Sequence, residues 1–168
     1  MKRLLAVFLI VTALVLSSCS SYTYTLIHYE NEALMEAALG FDMKPVPGLD
    51  TPVSFAAADG ELGEVTYAFA DETAGEATLV FRMSTPDYAE KYSKSNGVPG
   101  IAPLPAECEL TTERLGSASV TYYRSGKTVF AAWTLGEYAF SAALTYNSAG
   151  VIPGYDELYP FVLAVIST

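Results

Sequence analysis

Hydrophobic and polar residues follow three different rhythms along this chain, and each rhythm predicts a different kind of element. Leu4 to Leu16 is an almost unbroken apolar run in which Thr12 is the only polar residue. Asn31 to Leu39 has helical spacing. Asn31 can cap the helix, Glu32 lies in its first turn, and Gly40 suits the left-handed position that ends it. Leu34, Ala38 and Phe41 are expected to face the core. Lys44-Pro45-Val46-Pro47-Gly48 cannot continue a helix and must be extended or turning.

From Pro52 onward the period falls to two. Val53 and Phe55 begin a strand that ends near Asp59. Val65, Tyr67 and Phe69 share one face of a second strand, and Ala77, Leu79, Phe81 and Met83 share one face of a third. Asp71 to Gly75 joins these last two as an antiparallel hairpin. Thr85-Pro86-Asp87 opens a helix reaching about Tyr92, since proline fits the first helical position. Ser93 to Pro105, rich in Gly and Pro, reads as a long loop. Residues 117–123, 127–135 and 138–146 predict three more strands, with Ser125-Gly126 and Gly136-Glu137 as turns. Tyr155, Leu158, Tyr159, Val162, Leu163 and Ile166 then recur at helical spacing. Pro160 either falls in the first turn of a helix begun near Asp156 or splits the segment in two.

These elements predict a single α+β domain over residues 29–168. Its antiparallel sheet has about five or six strands, with short N-terminal, middle and C-terminal helices packed on one face. The first rhythm predicts something else. Met1-Lys2-Arg3 is basic, the apolar run after it is shorter than the ~20 residues of a membrane span, and Leu16-Ser17-Ser18-Cys19 closes it. Hydrophobic, small, small, Cys after such a run resembles the lipobox of bacterial lipoproteins. That resemblance implies a signal peptide over residues 1–18, a diacylglyceryl-modified Cys19 and a short tether to residue 28. A retained membrane helix is disfavoured by the small polar residues that follow and by the lack of a basic stop-transfer cluster.

The chain carries 9 basic and 19 acidic side chains, a net charge of −10, and loss of Lys2 and Arg3 with the signal makes it −12. Such a balance argues against nucleic-acid binding, which needs a basic face. It also leaves membrane attachment to the acyl chains, each buried methylene contributing ~0.8 kcal/mol. Of two cysteines, Cys108 has no partner in the chain once Cys19 is acylated, and a small buried hydrophobe is its commonest role.

Several segments stand in a familiar order. Ala38-Leu39-Gly40-Phe41 follows a short helix, and a Pro-rich piece leads to Glu64-Val65-Thr66-Tyr67 and Leu79-Val80-Phe81-Arg82. Later, Tyr123-Arg124 precedes a short Ser/Gly loop, and Ala131-Ala132-Trp133-Thr134 leads to Tyr138-Ala139-Phe140-Ser141. Together they resemble a group of bacterial extracytoplasmic domains of unknown function, found in Firmicutes as lipoproteins and membrane-tethered modules. The resemblance spans most of residues 30–166. This chain departs from it at Ser84 to Asn96, where relatives carry an Ile-Ser-Gly-Asp-Tyr-like loop. It implies a fold and an envelope location, and no activity.

Candidate chemistry is thin. His28 is the sole histidine, so with Cys108 it cannot complete a zinc site. A Cys–His nucleophilic pair is conceivable in composition, but a histidine beside a tether is more often solvated. No G-x-S-x-G elbow and no Gly-rich phosphate loop is present. Acidic residues gather at Asp59/Glu61/Glu64 and Asp71/Glu72/Glu76 without the order of a calcium loop, as a solvated rim would. No catalytic residue, metal ligand or cofactor is therefore assigned. Tyr122, Tyr123, Trp133 and Tyr146 come from neighbouring strands and could line a ligand groove if one sheet face is open. The simpler account places them in the core and at its border, with Tyr122 and Tyr123 on opposite faces.

The expected protein is a non-enzymatic lipoprotein on the extracytoplasmic face of a membrane, binding a ligand or protein partner there. The alternatives are a structural or accessory module of a membrane complex, or an acid-dependent hydrolase using an unrecognised carboxylate pair.

Overall fold

The computed structural model describes residues 25–58, 60–72, 74–96, 109–148 and 150–168. The signal segment, Cys19, most of the tether, residues 97–105 of the expected loop and Cys108 lie outside the described residues. Among the described residues the chain forms eight strands: β1 (Ile27–Tyr29), β2 (Pro52–Ala58), β3 (Leu62–Asp71), β4 (Gly75–Ser84), β5 (Thr111–Leu115), β6 (Ala118–Ser125), β7 (Thr128–Leu135) and β8 (Tyr138–Tyr146). They make one antiparallel sheet in the order β1-β2-β3-β4-β8-β7-β6-β5. Three helices accompany it: α1 (Glu32–Leu39), α2 (Pro86–Asn96) and α3 (Tyr155–Ser167).

The sheet is wider than the five or six strands expected, and both additions are edges. β1 has only three residues, too few for alternation to be seen. β5 reads Thr-Thr-Glu-Arg-Leu and is exposed up to Leu115, as a charged edge strand should be. α2 is also longer than expected, running past Tyr92 to Asn96.

Register explains the core. Val65, Tyr67, Leu79, Phe81, Ala142, Leu144, Val129 and Ala131 all point to one face, because Val65 pairs with Phe81, Phe81 with Ala142 and Ala142 with Ala131. Met35 and Leu39 of α1 and Leu158, Val162 and Val165 of α3 close that face. Phe81, Trp133 and Phe140 form its aromatic centre, with Trp133 and Phe140 stacked at 5.5 Å. α2 corrects the expectation that all helices share one face. Its Tyr88 and Ala89 pack with Ala58, Leu62 and Ala139, which point the opposite way from Val65 and Phe140. Leu26, just ahead of β1, packs against the same small cluster.

Local chemistry fixes the helix ends. Asn31 Oδ1 accepts the Leu34 N–H at 3.0 Å, and Gly40 (φ 76°) donates its N–H to the Glu36 carbonyl at 2.8 Å. The buried stripe of α1 is Met35 and Leu39; of the three residues expected to face the core, Leu34 and Ala38 face outward and Phe41 packs against the core. α3 is one continuous helix with Pro160 inside it as the sixth residue. The missing N–H would have met the carbonyl of Asp156, and both residues lie on the exposed side, where solvent replaces the bond. At its start Glu157 reaches back to the Gly154 N–H at 2.8 Å.

Candidate functional site

The four aromatic residues that could have lined an open groove are interior. Tyr122, Tyr123, Trp133 and Tyr146 are each at most 3% exposed. Alternation does put Tyr122 and Tyr123 on opposite faces: Tyr122 belongs to the main core and packs on Tyr155, while Tyr123 stacks on Phe130 at 4.8 Å. Burial, then the charge of Glu113, raises the pKa of the Tyr122 phenol. Burial first, then Asp71 and Glu157, pushes Tyr146 up to about 12, and its hydroxyl donates to Asp71 Oδ2 at 3.4 Å. Tyr122 Oη and Trp133 Nε1 have no hydrogen-bond partner among the described residues. These groups are core, and their place there removes them from any ligand surface.

Three members of the acidic clusters, Glu61, Glu64 and Asp71, are engaged structurally, and Asp59 lies outside the described residues. Glu64 Oε2 accepts Arg82 Nε at 2.6 Å across β3 and β4. Glu61 pairs with Lys91 at 3.4 Å, and Asp71 Oδ1 accepts the Ala74 N–H at 2.8 Å to close the β3–β4 loop. Among the described residues no group of three or more His, Cys, Asp and Glu could hold a metal ion. His28 is exposed on β1. The Glu32 carboxyl is raised above its ordinary value, by burial and then by Glu36 one turn along α1. Among the described residues no helix is long and apolar enough to cross a membrane.

Among the described residues the fold leaves several concavities, one of about 490 Å³ at the β7–β8 hairpin. Half-buried Leu135 and Tyr138 form its accessible apolar part, with buried Met83 and Phe140 beneath them, and Asp42, Lys44 and Glu137 form its rim, with Gly136 in the turn. The segment after α1 makes the second wall. Phe41 packs on Tyr138 at 5.3 Å, the Met43 N–H donates to Glu36 Oε1 at 2.7 Å, and the Lys44 N–H meets Met83 Sδ at 3.4 Å. An apolar floor with one cation and two carboxylates at its edge suits a molecule with an apolar body and a polar end. Alternation in the sequence puts Met83 on one face with Phe81, and Tyr138 and Phe140 on one apolar face with Ala142 and Leu144. Nothing in the local pattern shows that Tyr138 alone of these stays half-buried, because that depends on how α1 and α3 divide the sheet.

No protein-family model, no curated protein and no solved structure matches this chain.

Proposed function

We propose that this protein is a cell-envelope lipoprotein, held by an acylated Cys19 to the extracytoplasmic face of a membrane. Its domain binds a ligand or protein partner there and catalyses no reaction. The anchoring is supported by the apolar run closed by Leu16-Ser17-Ser18-Cys19 and by the short distance in sequence from Cys19 to β1. One observation carries the binding role. α1 and α3 cover one sheet face but leave Leu135 and Tyr138 half-buried, over core Met83 and Phe140, in a concavity rimmed by Lys44, Asp42 and Glu137.

The test is purification from detergent-extracted membranes, reading out bound small molecules and proteins together. The wild type and Tyr138→Ala should differ in one retained component, with Leu163→Ala, on the exposed side of α3, behaving as wild type. Equal retention by all three proteins, or none by any, contradicts a binding role for this concavity.

A further inference from the structure

We infer that the outer face of α1 rests on the surface of the bilayer that carries the anchor. This inference depends on the lipid attachment at Cys19 proposed above. α1 reads Glu-Ala-Leu-Met-Glu-Ala-Ala-Leu. With Met35 and Leu39 turned into the core, its exposed positions are Ala33, Leu34, Ala37 and Ala38, and none is polar. Leu34 is 50% exposed, and Ile27 on the adjoining strand is 59% exposed. Both acidic residues of the helix are drawn partly inward, where Glu36 receives the Met43 N–H. A helix with an apolar outer side between its buried stripe and its half-buried glutamates has a second contact to make.

The chain itself names the occupant. Ile27 stands eight positions after Cys19, so even a fully extended tether spans at most ~28 Å at roughly 3.3–3.6 Å per residue. β1 and β5 are the two edges of the sheet, seven strand spacings or ~34 Å apart at ~4.8 Å each. The β1 edge is thus the part of the domain kept close to the membrane. The C-terminal end of α1 lies at the same end of the sheet as the start of β1. Ile27 pairs with Ala57, β2 ends at Ala58, and Gly60 in the next turn sits under the Ala38 carbonyl, 3.6 Å from where a Cβ would stand. At the high local concentration a short tether imposes, even a small apolar patch stays in contact. Exposed Glu30 and Asp42, with partly exposed Glu32 and Glu36, flank the patch and repel anionic headgroups. The contact is therefore stronger on zwitterionic than on anionic lipid.

The test places a reporter tryptophan at Leu34→Trp, or on the far edge at Thr112→Trp, in protein purified from membranes with its N-terminus defined by mass. Trp133, the single native tryptophan, is buried and gives a constant background. On vesicles containing brominated phosphatidylcholine, the added emission at position 34 should shift to shorter wavelength and be quenched, while that at 112 stays unquenched. Added phosphatidylglycerol should weaken the quenching. An acylated Cys19 with equal quenching at 34 and 112 overturns the membrane contact and leaves the anchor standing. A position-34 signal that depends on protein concentration and not on lipid overturns it in favour of a second copy. A mature protein without lipid on Cys19 overturns the anchor and the contact together.

Discussion

α1 and α3 lie on the same face of the sheet and bury the same kind of stripe, yet they present different surfaces to the outside. α3 turns Leu158, Val162 and Val165 inward and shows Asp156, Glu157, Pro160 and Leu163. α1 turns Met35 and Leu39 inward, half-buries Glu32 and Glu36, and fully shows only Ala33, Leu34, Ala37 and Ala38. The first is an ordinary amphipathic cover. The second is a cover with a further apolar side, placed beside β1 at the edge of the sheet. A helix's inward stripe reports how it is held; its outward side reports what else it meets.

The largest effect should come from removing what holds α3. Leu158→Ala empties a fully buried position and should cost about 2–5 kcal/mol in urea-unfolding free energy. Gly63→Ala attacks the seat of α1. A methyl there would sit 2.7 Å from Leu39 Cδ1 and closer still to Met43 Sδ. Both are ends of flexible side chains, so the cost should be nearer ~1 than ~3 kcal/mol. Asn31→Ala removes the cap that accepts the Leu34 N–H and should cost about 0.5–2 kcal/mol, read as a lower thermal midpoint.

The comparison also has an alkaline edge, at the Glu157 end of α3. The folded state holds the Tyr146 proton up to about 12, whereas an unfolded tyrosine releases it near ~10. That contribution to stability is complete below pH ~10 and is lost as pH rises through about 12. Tyr146→Phe should flatten the fall in urea midpoint across that window. Smallest of all should be Leu34→Gln, which touches only the outer side of α1. Its unfolding free energy in solution should stay within about 0.5 kcal/mol of wild type. A large loss there would mean that Leu34 is part of the core after all.

Much of the sheet was legible because two-residue alternation is a local signal. Ala77 to Met83 and Tyr138 to Leu144 show their buried faces directly in the sequence. The edges were not legible: β1 is too short to display a period, and β5 is made polar by the need to discourage further pairing. α1 defeats periodicity for another reason. Leu34/Ala38 and Met35/Leu39 are both apolar stripes one turn long, and only the sheet decides between them. The same limit hid the concavity, whose floor residues were legible and whose opening was not. The face that α2 covers is not legible, because a helix pattern says nothing about which side of a sheet its connection crosses. The aromatic residues point the other way: Tyr122, Tyr123, Trp133 and Tyr146 look like a surface when listed by type, but each occupies an interior position.

The account turns on the chemical state of residue 19, and intact-mass analysis of the membrane-extracted protein reads it directly. The predicted result is a chain beginning at Cys19 and carrying a diacylglyceryl group. A chain that keeps Met1, or one that starts at residue 19 or beyond with no lipid, would contradict it.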